Sequence, residues 1–167
     1  MRKLIGVCGS DSTDLELSSA TLKTAEQVGY YIAQRGGVLI CGGKGGVMEQ
    51  AAKGAKRAQG LTVGILPDAK EKANRFIDIA IATHFGYARN YILINSADAV
   101  IGIAGRWGTL NEISYSLNIG KPTVVIKGSG GWMDILSNEA ILKKLELKPH
   151  IVDSAKEAVD LAFKLSE

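Results

Sequence analysis

Three short apolar runs in this chain each end in glycine and pass directly into a helical pattern: Leu4–Cys8 into Gly9-Ser10, Val38–Cys41 into Gly42–Gly46, and Ala99–Ala104 into Gly105–Gly108. Strands that alternate with helices pair in parallel, because a crossover helix carries the chain back to the starting edge of the sheet. The pattern therefore predicts an α/β fold with a doubly wound, mostly parallel sheet, formed as a single domain over residues 1–167. In such a sheet ligands sit outside the carboxyl ends of the strands. All three glycine turns open on that edge, so they are expected to share one cleft. A tight strand-to-helix turn explains any one of them alone, Gly9-Ser10 most readily.

The remaining elements follow from periodicity. Ala20–Gln34 reads as a helix stopped by Gly36-Gly37, and Val47 to Ala58 as a helix with a small-residue face closed by Gly60. Thr62–Leu66 is a third strand and residues 67–75 a polar loop, after which Ile77, Ile79 and Ile81 alternate at the period of a strand. A helix from about Tyr87 to Ser96 precedes the Ala99 strand. The next helix, opened by Thr109 and ended by Gly120 with Pro122 beyond, leads to a strand at Thr123–Lys127 and two terminal helices.

Composition narrows the function. With 46% hydrophobic residues in 167, the chain can build a real core. A net charge of +3 with signs interspersed is too weak for a nucleic-acid groove, so no nucleic-acid partner is expected. The opening apolar run is too short for a signal sequence, and no stretch approaches a membrane span, which predicts a cytoplasmic protein with no membrane partner. Cys8 and Cys41 lack CxxC spacing and read as reduced, partly buried thiols. His84 and His150 stand alone, so no metal site is expected. GGKGG is not a P-loop, since Lys44 is followed by glycine, and no G-x-G-x-x-G is present for NAD.

The stretch Ala104–Glu112, AGRWGTLNE, carries the most chemistry. Unpaired amides at a helix start, the positive end of the helix dipole and a glycine that admits close approach together suit a phosphate. Glu112, one turn on, is placed to act on whatever the phosphate anchors. Each residue also has a plainer reading. A first-turn carboxylate complements the dipole by about 0.3–1 kcal/mol, Thr109 can be a helix cap, and Arg89 can be a surface arginine.

These residues form an ordered set. CGGKGGVM (Cys41–Met48), YARN (Tyr87–Asn90) and AGRWGTLNE resemble the marks of the LOG-like family of Rossmann-type proteins, also labelled lysine decarboxylases: GGG-x-x-G-x-M, an arginine-bearing helix and PGGxGTxxE. GGVMEQAAKGA, the ARN triplet, SADAVIGI and GTLNEI are similar to the molybdenum-cofactor carrier branch of that family. The resemblance spans roughly Leu4–Lys127. It implies a hydrolase that cuts the N-glycosidic bond of a nucleoside 5′-monophosphate, with Glu112 and Arg89 catalytic; the alternative is a non-catalytic carrier of molybdenum cofactor or a nucleotide sensor. Nothing in these motifs suits lysine decarboxylation. Gly9, Ser10, Gly42, Gly43, Gly46, Met48, Gly105, Arg106, Gly108 and Thr109 are the candidate binding residues for a phosphorylated small molecule. No cofactor is required, molybdenum cofactor entering only as a bound ligand. The chain departs from the pattern at Ala104 for proline, Arg106 for the second glycine and Cys41 for the first glycine of GGG. Arg106 either crowds the phosphate cradle, which would cost the hydrolase activity while leaving binding of another anion, or supplies a cation to it; with Lys44, a second cation there favours a ligand more heavily charged than a monophosphate.

Helical angles add a partner. Leu110, Ile113 and Leu117 share one stripe, while Glu112, Tyr115 and Ile119 share another, and Tyr91–Ile94 are apolar nearly all round. The two helices are expected to form a homodimer contact beside the cleft, as the resemblance also implies.

Overall fold

The computed structural model describes residues 1–167. Its strands are β1 (Leu4–Gly9), β2 (Val38–Cys41), β3 (Leu61–Leu66), β4 (Ile79–Ala82), β5 (Ala99–Ile103), β6 (Thr123–Ile126) and β7 (His150–Val152). They form one sheet in the order β4-β3-β2-β1-β5-β6-β7, and every pairing is parallel. The helices are α1 (Ser19–Gln34), α2 (Val47–Arg57), α3 (Arg89–Ser96), α4 (Trp107–Asn118), α5 (Gly131–Leu136), α6 (Glu139–Leu142) and α7 (Ala155–Leu165).

Strand residues alternate between two cores. Ile5, Val7, Leu39, Ile101 and Val124 meet Ala25, Val28, Ile32, Ala51, Ala55 and Val159 from α1, α2 and α7. Cys8, Ile40, Ile65, Val100 and Val125 point the other way, onto Leu93, Ile94, Ile113 and Met133 from α3, α4 and α5. Burial on both faces is why these strands read as continuous apolar runs. Strand order reverses between β1 and β5, whose chains leave the sheet in opposite directions, and that divergence opens a crevice at their carboxyl ends.

Local chemistry fixes the ends. The Ser18 hydroxyl accepts from the Thr21 amide at 3.0 Å to cap α1, and Gly36 takes φ +74° just beyond its end. α1 and α2 cross in near backbone contact: a Cβ on Gly29 would lie 1.8 Å from Ala51 O, and one on Gly54 1.8 Å from Glu26 O. The small-residue face expected for the second helix is what permits this approach.

The structure corrects three readings. Two terminal helices are expected after Lys127, but α5, α6, β7 and α7 occur. A three-residue edge strand and a four-residue helix are too short to leave a periodic signal. The Tyr87 helix begins as a 3₁₀ turn at Gly86–Ala88, with α3 proper starting at Arg89. The helix expected to open at Thr109 starts at Trp107, because Arg106 is the extended residue preceding it and its carbonyl accepts from the Leu110 amide at 3.0 Å. Thr109 is therefore inside the first turn, and Glu112 lies beyond it.

Candidate functional site

A cavity of about 470 Å³ fills the crevice over β1 and β5. Its walls bring together Gly9, Ser10, Met48, Arg89, Arg106, Gly108, Thr109 and Glu112 from the residues singled out in the sequence. Gly42, Gly43, Gly46 and Gly105 do not line it. They shape the turns behind it. A Cβ on Gly42 would sit 2.5 Å from Arg89 Nη2, so the missing side chain is what seats the guanidinium. Gly43, at φ +74°, has its carbonyl held by the Asn74 amide at 2.8 Å, while Asn74 Nδ2 donates to the Lys44 carbonyl at 2.8 Å. Gly46, at φ +67°, lets the Val47 amide reach the Ser10 carbonyl at 2.9 Å, locking the β2 turn to the β1 turn. The Gly105 amide donates to Ser10 Oγ at 3.1 Å, which joins the β1 and β5 turns. Ser10 thus holds the two sides of the crevice as well as lining it.

At the centre is a buried ion pair. Arg89 Nη1 donates to Glu112 Oε1 at 2.9 Å, with side-chain exposures of 11% and 7%. Burial pushes the Glu112 carboxyl above its usual range, against the pull of the Arg89 guanidinium. The plainer readings of both residues fail. Arg89 is not on the surface, and Glu112 lies too far into α4 for the helix dipole, which acts within the first turn. Below them, burial first and then the Glu112 carboxylate push the Cys8 thiol well up, and burial raises Cys41 to about 11, which makes both inert core thiols.

The β5 turn supplies the anion-accepting wall. No side chain caps α4; Leu110 makes the first turn-closing bond, so the amides of Trp107, Gly108 and Thr109 have no partner within the helix. Ala104 has φ +53° and Gly105 φ +108°. A proline, with φ fixed near about −65°, cannot occupy position 104 on this path. Arg106 reaches across the cleft, Nη1 lying 3.4 Å from both the Thr13 carbonyl and hydroxyl oxygens. It lines the cavity without closing it.

Lys44 also borders the cavity, with Asp11, Thr13, Pro67 and Gly86, which sequence reasoning left out, and Tyr87, Asn90 and Trp107, which the motifs contain without an assigned role. The hydrogen bond from the Thr13 hydroxyl holds the Asp11 carboxyl below its usual range. Tyr87 and Asn90 flank Arg89 in the YARN motif, and Pro67 follows the end of β3, so their positions beside strand ends were the available signal. No helix is long and apolar enough to cross a membrane.

A doubly wound parallel sheet with glycine turns gathered over its switch point defines a Rossmann-type α/β protein with a polar cleft at the strand ends. The chain belongs to the SLOG cluster4 family, whose model matches residues 2–159. Among solved structures it is similar to the molybdenum cofactor binding protein of Rippkaea orientalis, with 36% identity, a TM-score of 0.88 and coverage of 100% of this chain and 99% of that one. The molybdenum cofactor carrier protein of Chlamydomonas reinhardtii aligns with 31% identity, a TM-score of 0.81 and 98% coverage of both chains. A cytokinin riboside 5′-monophosphate phosphoribohydrolase of Mycobacterium tuberculosis is 29% identical over 91% of this chain and 88% of its own.

Proposed function

We propose that this protein binds a small phosphorylated heterocycle in the β1/β5 cleft, as a carrier whose candidate cargo is molybdenum cofactor. The observation that carries this reading is the charge arrangement. Lys44, Arg89 and Arg106 border the cavity against the carboxylates of Asp11 and Glu112, beside the free amides that open α4. A nucleoside monophosphate needs one anion cradle, and the additional cations fit a ligand bearing more charge. The likeness to cofactor-binding proteins across the whole chain supports the same choice. Protein purified from molybdate-supplied cells is expected to yield a fluorescent pterin on acid oxidation, with molybdenum in proportion by mass spectrometry. Arg106→Glu is expected to lose both. Preparations that carry neither, and that bind no pyrophosphate in calorimetry, overturn the reading.

A second reading is favoured by one feature: the Arg89–Glu112 pair lines the same cavity. In a nucleoside 5′-monophosphate hydrolase the Glu112 carboxylate stabilises the oxocarbenium-like transition state and orients water. Water adds to C1′ as the C1′–N bond breaks, giving ribose 5-phosphate and a base that leaves with a proton. Incubation with AMP, GMP and IMP tests it. Free base released by wild type and not by Glu112→Gln supports hydrolysis, and no release above background excludes it.

We also infer self-association through the outer face of α3 and α4, where Tyr91 and Ile119 remain 46% and 40% exposed.

A further inference from the structure

The large apolar side chains left in water are not spread evenly. Trp107 is 73% exposed and Tyr87 81% exposed, yet both border the cavity. Both also lie at the start of α4. Trp107 directly precedes Gly108, and a Cβ on Gly108 would lie 3.7 Å from Tyr87 Cε1. Trp107 does not hang free, since its ring packs on Trp132 with centroids 5.0 Å apart at 57°. This backing fixes the indole at the cleft mouth. Large apolar side chains left this exposed at the rim of a polar cleft mark a surface that meets a ligand or partner.

An independent observation lies at the same place. Asn90 is 2% exposed, and its Nδ2 is committed to Asn111 Oδ1 at 2.8 Å and to the Gly108 carbonyl at 3.4 Å. A carbonyl only accepts, so the amide orientation is set and Oδ1 is left without a partner. A buried acceptor that lacks a donor is costly, and a ligand N–H or O–H is the donor a binding site supplies.

We propose that Trp107 and Tyr87 form the heterocycle-binding end of the cavity, gripping the planar ring of the ligand whose phosphate lies at the start of α4, with Asn90 reading a donor on the ring or sugar. The assignment rests on the phosphate-cleft reading above and extends it by naming what holds the other end of the ligand. Stacking of a ring on an aromatic side chain is tolerant of ring identity, so this end selects a class, planar heterocycles, and Asn90 adds a preference within it.

The test compares GMP with ribose 5-phosphate, which keeps the phosphate and sugar and lacks the ring, using wild type and Trp107→Leu in calorimetry. Trp107 is exposed, so the variant is expected to fold. Wild type is expected to bind GMP more tightly than ribose 5-phosphate. Trp107→Leu should lose about tenfold for GMP, the lower range of a single stacking contact, with ribose 5-phosphate unchanged. Both tryptophans of the chain lie in this pair, so GMP should also quench intrinsic fluorescence where ribose 5-phosphate does not. IMP, lacking the 2-amino group, and 2′-deoxy-GMP separate a ring donor from a sugar donor at Asn90. A loss with one of them that Asn90→Leu abolishes supports the assignment, and equal binding of all three to wild type overturns the Asn90 part. Equal affinity for GMP and ribose 5-phosphate, or an equal loss of both in Trp107→Leu, overturns the stacking assignment alone. A change of oligomeric state in that variant with both affinities intact does the same. If wild type binds pyrophosphate but neither compound, this assignment falls alone; if it binds none of the three, the phosphate-cleft reading falls and this one with it.

Discussion

Arg89 and Glu112 depend on each other. Each is buried, and each is the other's charge partner at 2.9 Å. Arg89→Met leaves a carboxylate in the interior without a cation, and the expected cost is about 3–5 kcal/mol. Removing both charges together, in Arg89→Met/Glu112→Leu, should recover more than half of that loss in urea unfolding. Additive losses would mean the pair is not coupled as the geometry implies. The titration of Glu112 gives a second prediction with a defined sign. Its folded-state pKa lies above the ordinary 4.5 because of burial. Such a group stabilises the fold fully below the unfolded value, and that contribution is lost as pH rises through the folded value. Glu112→Gln does not titrate, so its Tm should gain on wild type as pH is raised from the ordinary 4.5 towards neutrality. A difference that shrinks in the opposite direction contradicts the shift. That both residues belong at the cleft was legible in the motif. Their contact was not, because Arg89 and Glu112 are 23 positions apart on different helices and only the α3–α4 packing brings them face to face.

Among the elements, the strand-glycine-helix pattern placed β1 to β3, β5, α1 and α2 nearly to the residue. It worked because each strand is buried on both faces and each turn is tight. It failed after Ile126, where α6 and β7 run only four and three residues. β7 exists because β6 offers it a free edge, which is tertiary information, and α6 is a single turn. The start of α4 was misplaced by two residues for a related reason: Thr109 is a good cap, but the chain bends earlier, at Arg106. The β5 turn makes this testable. Restoring the family's proline with Ala104→Pro is incompatible with φ +53° and deletes the amide that donates to Ser129 Oγ at 2.8 Å. Destabilisation by about 3 kcal/mol or more is expected, with loss of pyrophosphate binding in calorimetry; a neutral or stabilised variant would mean the turn follows the proline-compatible path. The α1–α2 crossing supplies the other element-scale prediction. Gly54→Ala improves helix propensity by about 0.8–1 kcal/mol. Even so it should lower stability, since its methyl meets Glu26 O at 1.8 Å and backbone cannot rotate away. Overpacking of this kind costs about 1–3 kcal/mol, so a fall in Tm is the expected net result by calorimetric scan, and a rise would show that the helices can separate.

At the scale of the molecule, the two faces of the sheet are unequally covered. α1, α2 and α7 close one face with interlocked small residues. On the other, α3 and α4 bury Leu93, Ile94 and Ile113 but leave an outer strip in water. The strip is ordered: the Tyr91 and Tyr115 rings meet edge to face at 4.4 Å, and Asn95 Nδ2 donates to the Tyr115 hydroxyl at 2.9 Å. Tyr91 and Ile119 project beyond it. The sheet absorbed Leu93 and Ile94 from the all-round apolar pattern of α3, so the proposed second copy would cover only what remains. That smaller remainder still lies on the two helices that carry Arg89 and Glu112, so association would stiffen the α3–α4 contact on which the ion pair depends. Light scattering at micromolar concentration is expected to give twice the chain mass, and Tyr91→Glu to give the monomer. The monomer should also unfold at lower temperature and bind pyrophosphate more weakly, although position 91 does not line the cavity. A wild-type monomer removes the interface; a Tyr91→Glu monomer with undiminished pyrophosphate affinity shows instead that each cleft is held in shape by its own chain.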